Sequence, residues 1–218
     1  MKRAELAAML DHSVLKPESS ASDIAGGIDV VRRFQIGFYC VQPCWVRMAS
    51  NALAASDTRV VSVIGFPHGC DLPAVKAVAA LRAVEDGAAE IDMVTNIGAL
   101  RAGDSRTVAE DIEAVVRSVP GVIVKVILET AALDDAQRRE GCRLAVAEGA
   151  AFVKTSTGFH PAGGATVTDV RLLRAAVGES VGVKASGGIR TLDDALAMIV
   201  AGANRIGTSA SAVLLQSL

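Results

Sequence analysis

Two lysines stand where an amine could do chemistry. Lys154 follows the apolar pair Phe152-Val153 and precedes Thr155-Ser156-Thr157-Gly158. Lys184 follows Val181-Gly182-Val183 and precedes Ala185-Ser186-Gly187-Gly188. An unpaired ammonium in apolar surroundings costs several kcal/mol, so two such lysines need a reason. One reason is covalent catalysis, since a neutral lysine amine attacks a carbonyl carbon to form a Schiff base. Neutrality near pH 7 requires a neighbour that destabilises the ammonium, against a reference pKa of ~10.4. A second ammonium ~5 Å away, at an effective dielectric of ~20, repels by roughly 3 kcal/mol, or about two pKa units. Burial acts in the same direction. Lys154 is therefore the expected nucleophile and Lys184 its electrostatic partner, provided that the fold brings them together. The competing reading is a strand-end lysine that snorkels to solvent, or a structural ion pair with Asp92.

Asp92 lies in the apolar run Glu90-Ile91-Asp92-Met93, and Lys125 in Val124-Lys125-Val126. The two could simply satisfy each other. A carboxylate beside a Schiff base would also serve catalysis, because carbinolamine dehydration, enamine formation and imine hydrolysis all move protons. Gly158, the pair Gly187-Gly188, and Gly207 with Thr208 and Ser209 follow three successive candidate strands. Each alone is more often a plain turn. Together they suggest backbone N–H groups cradling a phosphate, with Ser209 expected at the start of the last helix. No metal site is expected: His12, His68 and His160 lie apart, and Cys40 and Cys44 have no second pair to complete zinc spacing. The four cysteines read as reduced thiols.

The elements that must position these groups alternate. Strands are expected at Leu10–Leu15, Phe38–Val41, Arg59–Ile64, Glu90–Val94, Val122–Leu128, Phe152–Thr155, Gly182–Ala185 and Arg205–Gly207. A short helix over Lys2–Met9 precedes them. Helices follow at Ser22–Phe34, Pro43–Ala55, Leu72–Asp86, Ser105–Ser118, Leu133–Glu148, Thr168–Val177, Thr191–Val200 and Ser209–Leu215. Alternating βα units imply a parallel sheet, and eight of them in one 218-residue chain fit a single (β/α)8 TIM barrel over residues 1–218. An open doubly wound sheet is the alternative. The stops Asp86-Gly87-Ala88, Glu148-Gly149-Ala150 and Ala201-Gly202-Ala203 repeat. Five residues past each glycine stand Asp92, Lys154 and Gly207, at matching heights on alternate strands, and alternate strands share a layer in such barrels. Strand C-terminal ends are where barrel active sites lie.

Composition narrows the class. Hydrophobic residues make up 51% of the chain and aromatic residues only 3%, as suits parallel strands buried on both faces. A net charge of −2 gives no reason to expect nucleic acid or a membrane as partner. No uncharged apolar run reaches the ~18 residues of a membrane span, and the N-terminus meets Asp11 and His12 before any secretory apolar core. A cytoplasmic protein is the expectation.

Further stretches carry a family resemblance. Leu10-Asp11-His12-Ser13-Val14-Leu15-Lys16-Pro17, Gly65-Phe66-Pro67, Glu90 to Val94, Asn96-Ile97-Gly98-Ala99-Leu100, Lys125 to Thr130, Lys154 to Phe159 and Lys184 to Arg190 together resemble the deoxyribose-phosphate aldolases. The resemblance spans nearly the whole chain. It implies a metal-free class I aldolase with no cofactor, acting on a phosphosugar as homodimer or homotetramer in deoxynucleoside breakdown. It implies that Lys154 forms the Schiff base, that Lys184 lowers its pKa and that Asp92 assists proton transfer. Asp11 would stand near a substrate hydroxyl and Cys40 near the acetaldehyde side. Lys125, Thr155, Gly158, Gly187, Gly188, Gly207 and Ser209 complete the expected substrate contacts. The chain departs from the family pattern at Ser13, Gln42, Phe159 and Ala210.

Overall fold

A computed structural model describes residues 1–218. The chain builds α1 (Arg3–Met9), β1 (Leu10–Val14), α2 (Ala21–Phe34), β2 (Phe38–Val41), α3 (Val46–Leu53), β3 (Arg59–Ile64), α4 (Pro73–Glu85), β4 (Glu90–Val94) and α5 (Ile97–Ala102). It continues through α6 (Ser105–Ser118), β5 (Ile123–Ile127), α7 (Asp135–Ala147), β6 (Phe152–Lys154), α8 (Val167–Val177), β7 (Gly182–Ser186), α9 (Leu192–Val200), β8 (Arg205–Thr208) and α10 (Ser211–Gln216). All eight strands are parallel, and β8 pairs back onto β1 to close the barrel. The expected (β/α)8 barrel with its short N-terminal helix is the observed fold. No helix is long and apolar enough to cross a membrane.

Local chemistry sets the boundaries. Helices open where a short polar side chain accepts from a free first-turn N–H: Ser20 from Asp23, Asp104 from Thr107, Asp134 from Gln137, and Thr191 from Asp194. Gly87 and Gly202 leave helices with φ of 104° and 114°, a conformation that a Cβ would strain. The bounds of β1, β5, β6 and most helices lie one or two residues from the expected ones, and other differences bear on the site. Pro43–Trp45 forms a 3₁₀ turn before α3, closed by the Val46 N–H donating to Pro43 O. The expected loop after β4 contains α5, capped by the Asn96 side chain, which accepts from Ala99 N–H. β7 and β8 each run one residue further than expected. The last helix begins at Ser211, with Ala210 as its cap, so Ser209 lies ahead of it.

The main core fills the layer between sheet and helices. The barrel interior is divided. One side is apolar, with Phe38, Cys40, Val61 and Val63 from β2 and β3 clustered with Leu15. The other side, built by β4 to β8 and β1, carries buried charges. In-register pairs of a parallel sheet share a face, so Val61 and Val63 turn inward beside Glu90 and Asp92.

Candidate active site

The charged side of the barrel is a ladder running up the interior. Near its base, Arg205 Nη1 lies 3.2 Å from Glu90 Oε2. The Arg205 guanidinium also covers the Phe38 ring, 3.3 Å from its centroid. Lys125 Nζ is held by Glu90 Oε2 at 2.6 Å and Asp92 Oδ1 at 2.7 Å. The other oxygen of Asp92, Oδ2, accepts from Lys154 Nζ at 2.8 Å and from Lys184 Nζ at 2.7 Å. Lys184 also donates to Asp11 Oδ2. The register explains the meeting: Lys154 pairs with Lys184 across β6 and β7, and Asp11 with Gly207 across β1 and β8. The two amines share one acceptor, so they are no further apart than the sum of those two bonds. The side-by-side placement expected from spacing is present. The structure adds Asp92 as a bridge between them.

Counting charges along the ladder gives four cations, Lys125, Lys154, Lys184 and Arg205, against three carboxylates, Asp11, Glu90 and Asp92. The deficit is not shared evenly. Lys125 and Lys184 each touch two carboxylates, whereas Lys154 touches only Asp92. Burial opposes the Lys184 ammonium, but Asp11 and Asp92 outweigh it and hold its pKa above the ordinary lysine range. Burial likewise opposes the Asp92 charge, yet Lys125, Lys154 and Lys184 keep that carboxyl well below the usual range. Burial, aided by Asp11, pushes the Cys40 thiol up to about 12. Of these groups Lys154 is the ammonium with the least compensation.

Above the ladder opens a cavity of about 720 Å³. Asp11, Cys40, Lys154 and Lys184 line it, together with Gly158, Gly187, Gly188, Gly207 and Ser209. Asp11 Oδ1 is buried and has no hydrogen-bond partner in the protein. Asp92 sits behind the two lysines, fully buried. Two expected substrate contacts have other surroundings. Lys125 lies below Asp92 with both neighbours satisfied, one layer away from the cavity. The Thr155 hydroxyl joins the ends of β6 and β7, donating to Ser186 O at 3.2 Å and accepting from Ser186 N–H at 3.1 Å.

The glycines divide by role. Gly158, Gly187 and Gly188 have φ of 84°, 87° and 81° and lie in the loops after β6 and β7. A Cβ on Gly187 would come within 3.0 Å of Gly164 and 3.2 Å of Gly158, so these loops approach backbone to backbone. No turn or loop hydrogen bond uses the N–H of Gly158, Gly187, Gly188 or Ser209. Gly207 is different: a Cβ there would stand 2.9 Å from Ser186 Cβ and 3.1 Å from Lys184 Cε. Its smallness makes room for the Lys184 stem. The helix N-terminus expected at Ser209 is not formed there, because Thr208 Oγ1 takes the Ala210 N–H at 2.9 Å and α10 starts later.

Several supporting groups lie within the family-like stretches but have no role that the sequence assigns. Glu129 is buried with φ of 60° and accepts from the Thr157 hydroxyl at 2.5 Å, bracing the loop that leads to Gly158. Lys16 and Arg190 bring two further cations to the cavity rim. Phe159, also on the rim, meets Phe66 edge-on with centroids 5.3 Å apart. Asp11, Cys40 and Asp92 offer three donor atoms within 4.8 Å of one another. The Lys184 ammonium already stands between the two carboxylates of that set, and the Cys40 thiol holds its proton. The donor set therefore suits an ammonium better than a metal ion.

A parallel (β/α)8 barrel that gathers lysine amines on one carboxylate below a polar, glycine-rimmed mouth holds the groups that Schiff-base chemistry on a carbonyl needs. The sequence profile of the DeoC/LacD family aldolases matches residues 6–213, and the chain belongs to that family. It is 49% identical over 215 residues to deoxyribose-phosphate aldolase 1 of Bacillus licheniformis, covering 98% of this chain and 96% of that protein. It is 50% identical to the deoxyribose-phosphate aldolase of Enterococcus faecalis, covering 94% of this chain and 93% of that protein. Among solved structures, the tetrameric deoxyribose phosphate aldolase from Aeropyrum pernix superposes with a TM-score of 0.91 at 30% identity, covering 99% of this chain and 92% of that one.

Proposed function

We propose that this aldolase cleaves 2-deoxy-D-ribose 5-phosphate reversibly to D-glyceraldehyde 3-phosphate and acetaldehyde, through a Schiff base on Lys154. The observation that carries this reading is the uneven compensation along the ladder. Lys154 is the cavity-lining lysine with a single carboxylate partner, and that partner is shared with two other ammonium groups. Losing its proton relieves the ammonium that, alone among the three on Asp92, has no second carboxylate. The neutral amine then attacks the C1 aldehyde of the open-chain sugar. Water leaves the carbinolamine with a proton from Lys184, giving an iminium that withdraws electrons from C2. The C2–C3 bond breaks as the C3 hydroxyl gives its proton to the unpaired Oδ1 of Asp11, directly or through water. The C3–C5 fragment departs as glyceraldehyde 3-phosphate. The enamine left on Lys154 takes that proton from Asp11 at C2, directly or through water, and water hydrolyses the resulting imine, returning a proton to Lys184 and releasing acetaldehyde. Asp92, whose carboxyl the three ammonium groups hold below the usual range, carries hydrogen bonds between the two amines.

The phosphate of this substrate fits the free N–H groups of Gly158, Gly187, Gly188 and Ser209, with Lys16 and Arg190 as rim cations. The Cys40 thiol, neutral and on the apolar side of the interior, suits the two-carbon aldehyde end. A homo-oligomer in solution, as in the relative from Aeropyrum pernix, is part of this reading. The test is acetaldehyde release from deoxyribose 5-phosphate, before and after exhaustive chelation. Release that is equal in both and absent in Lys154→Met supports the reading. Release that is lost on chelation and regained with zinc, or that survives Lys154→Met, refutes it.

A further inference from the structure

Glu129 is a buried carboxylate that does not itself line the cavity. Taking a carboxylate out of water is unfavourable unless its oxygens are hydrogen-bonded, and here every bond comes from one residue. Thr157 gives its N–H to Oε1 and Oε2, both at 3.3 Å, and its hydroxyl to Oε2. The backbone is unusual as well. Glu129 is one of two non-glycine residues with positive φ, and the other, Gln35, caps the end of α2. A side chain in that region costs energy, and such residues gather at functional sites. The strand pairing shows the reason. Leu128 N–H donates to Lys154 O at 3.0 Å, and Thr130 N–H to Thr155 O at 2.8 Å. A step of two residues after β5 thus faces a step of one after β6. That is the count of a bulge, and a bulge re-aims the side chain it carries.

Three consecutive N–H groups show what this contact does. The Thr157 N–H goes to Glu129. The Phe159 N–H goes to the Thr157 hydroxyl at 3.1 Å, and that hydroxyl donates to Glu129 in turn. The Gly158 N–H, between them, has no partner in the protein. Gly158 lines the cavity and stands against Gly187 of the loop after β7. The far end of the same loop is tied down too, because the Ala165 N–H donates to Ser186 O at 3.1 Å and Gly187 O at 3.0 Å. The pair of Glu129 and Thr157 therefore takes up the outer two donors and leaves the middle one for a ligand. An N–H left free beside a glycine-lined cavity suits an anion, since hydrogen bonds to an ionised acceptor are the stronger ones.

We infer that Glu129 is a positioning residue that, through Thr157, presents the Gly158 N–H to the anionic end of the substrate and so sets the preference for a phosphorylated sugar. The inference rests on the aldolase reading above. The Lys154 amine is held separately, by Asp92. Loss of the Glu129 contact should therefore loosen the grip on the anion without disabling the amine.

Glu129→Gln tests it, with acetaldehyde release measured from deoxyribose 5-phosphate and from unphosphorylated deoxyribose. The substitution keeps the shape but turns one oxygen into an NH2, so that two donors face each other at Thr157. KM for the phosphorylated sugar should rise at least about tenfold with kcat little changed, while KM for the unphosphorylated sugar should move by less than about twofold. Acetaldehyde with borohydride should still label Lys154. Thr157→Val, which removes the hydroxyl, should show the same selective loss, and Thr157→Ser, which keeps it, should behave as wild type. The double variant Glu129→Gln with Thr157→Val should be no worse than the worse single one, because both break one contact. The two Thr157 variants carry the test if Glu129→Gln does not fold. Equal losses on both substrates, or a KM that does not move, overturn the inference and leave the aldolase reading standing. A wild-type chain that acetaldehyde and borohydride do not label overturns both.

Discussion

Removing the Lys184 charge while keeping its volume isolates the electrostatic claim. In Lys184→Met the side chain still packs along the barrel wall beside Gly207. The structure sets the size of the effect. Lys154 and Lys184 bond to the same Asp92 oxygen at 2.8 and 2.7 Å, and two unit charges ~5 Å apart at an effective dielectric of ~20 repel by roughly 3 kcal/mol. The substitution removes that repulsion. It also leaves Asp11 without its ammonium and gives Asp92 one donor fewer, and both changes favour a proton on Lys154. All three effects have the same sign, so the acidic limb of kcat/KM should move to higher pH by about two units or more. The assay is acetaldehyde release from deoxyribose 5-phosphate across the pH range. At neutral pH the variant should lose about a hundredfold in kcat/KM, and a part should return at high pH. A high-pH plateau far below wild type would show that Lys184 also passes protons. An acidic limb that does not move, with near-normal neutral activity, would refute the two-amine argument.

Three further outcomes follow from the same geometry. His12 is buried and hydrogen-bonded at Nδ1 to Ser211, and burial lowers its pKa to about 4. The unfolded chain therefore binds the extra proton between pH 6.5 and 4, so its contribution is complete above that window and lost as pH falls through it; urea unfolding should show about 2 kcal/mol less stability at pH 5 than at pH 7, a slope absent in His12→Asn. Glu90→Gln leaves Arg205 without a charged partner and Lys125 with Asp92 alone, and should cost about 3 kcal/mol in urea unfolding, where a change within ~0.5 kcal/mol would deny the ladder its structural part. Gly207→Ala forces a methyl to within 3.1 Å of the Lys184 stem; it should lower kcat at least about tenfold while costing only 1 to 3 kcal/mol of stability, roughly the overpacking range, and a raised KM with intact kcat would assign Gly207 to the phosphate instead.

The sequence showed the two lysines, Asp92 and the eight repeating units because those signals are local. Apolar runs ended by Lys154 and Lys184 mark strand ends, and the glycine stops at Gly87, Gly149 and Gly202 mark the period. What escaped is set by distance across the barrel. Glu90 and Arg205 are 115 residues apart in the chain, and nothing near either one signals the other. Lys125 therefore read as a substrate contact, although it lies between two carboxylates. Gly207 read as phosphate cradle, although its hydrogen serves the Lys184 stem. Ser209 read as a helix start because a serine before an apolar run usually is one, but the Thr208 hydroxyl delays the helix. α5 escaped because six residues are too few for a periodic signal.

The measurement closest to the central claim is reductive trapping. The native chain, treated with acetaldehyde and borohydride, should gain one ethyl group per chain by intact mass. Proteolysis should place it on the peptide that carries Lys154, with loss of activity in proportion to the label. Lys154→Arg should take up no label under the same conditions. Label confined to Lys184, Lys125 or a surface lysine, with an active Lys154→Arg, would contradict the account.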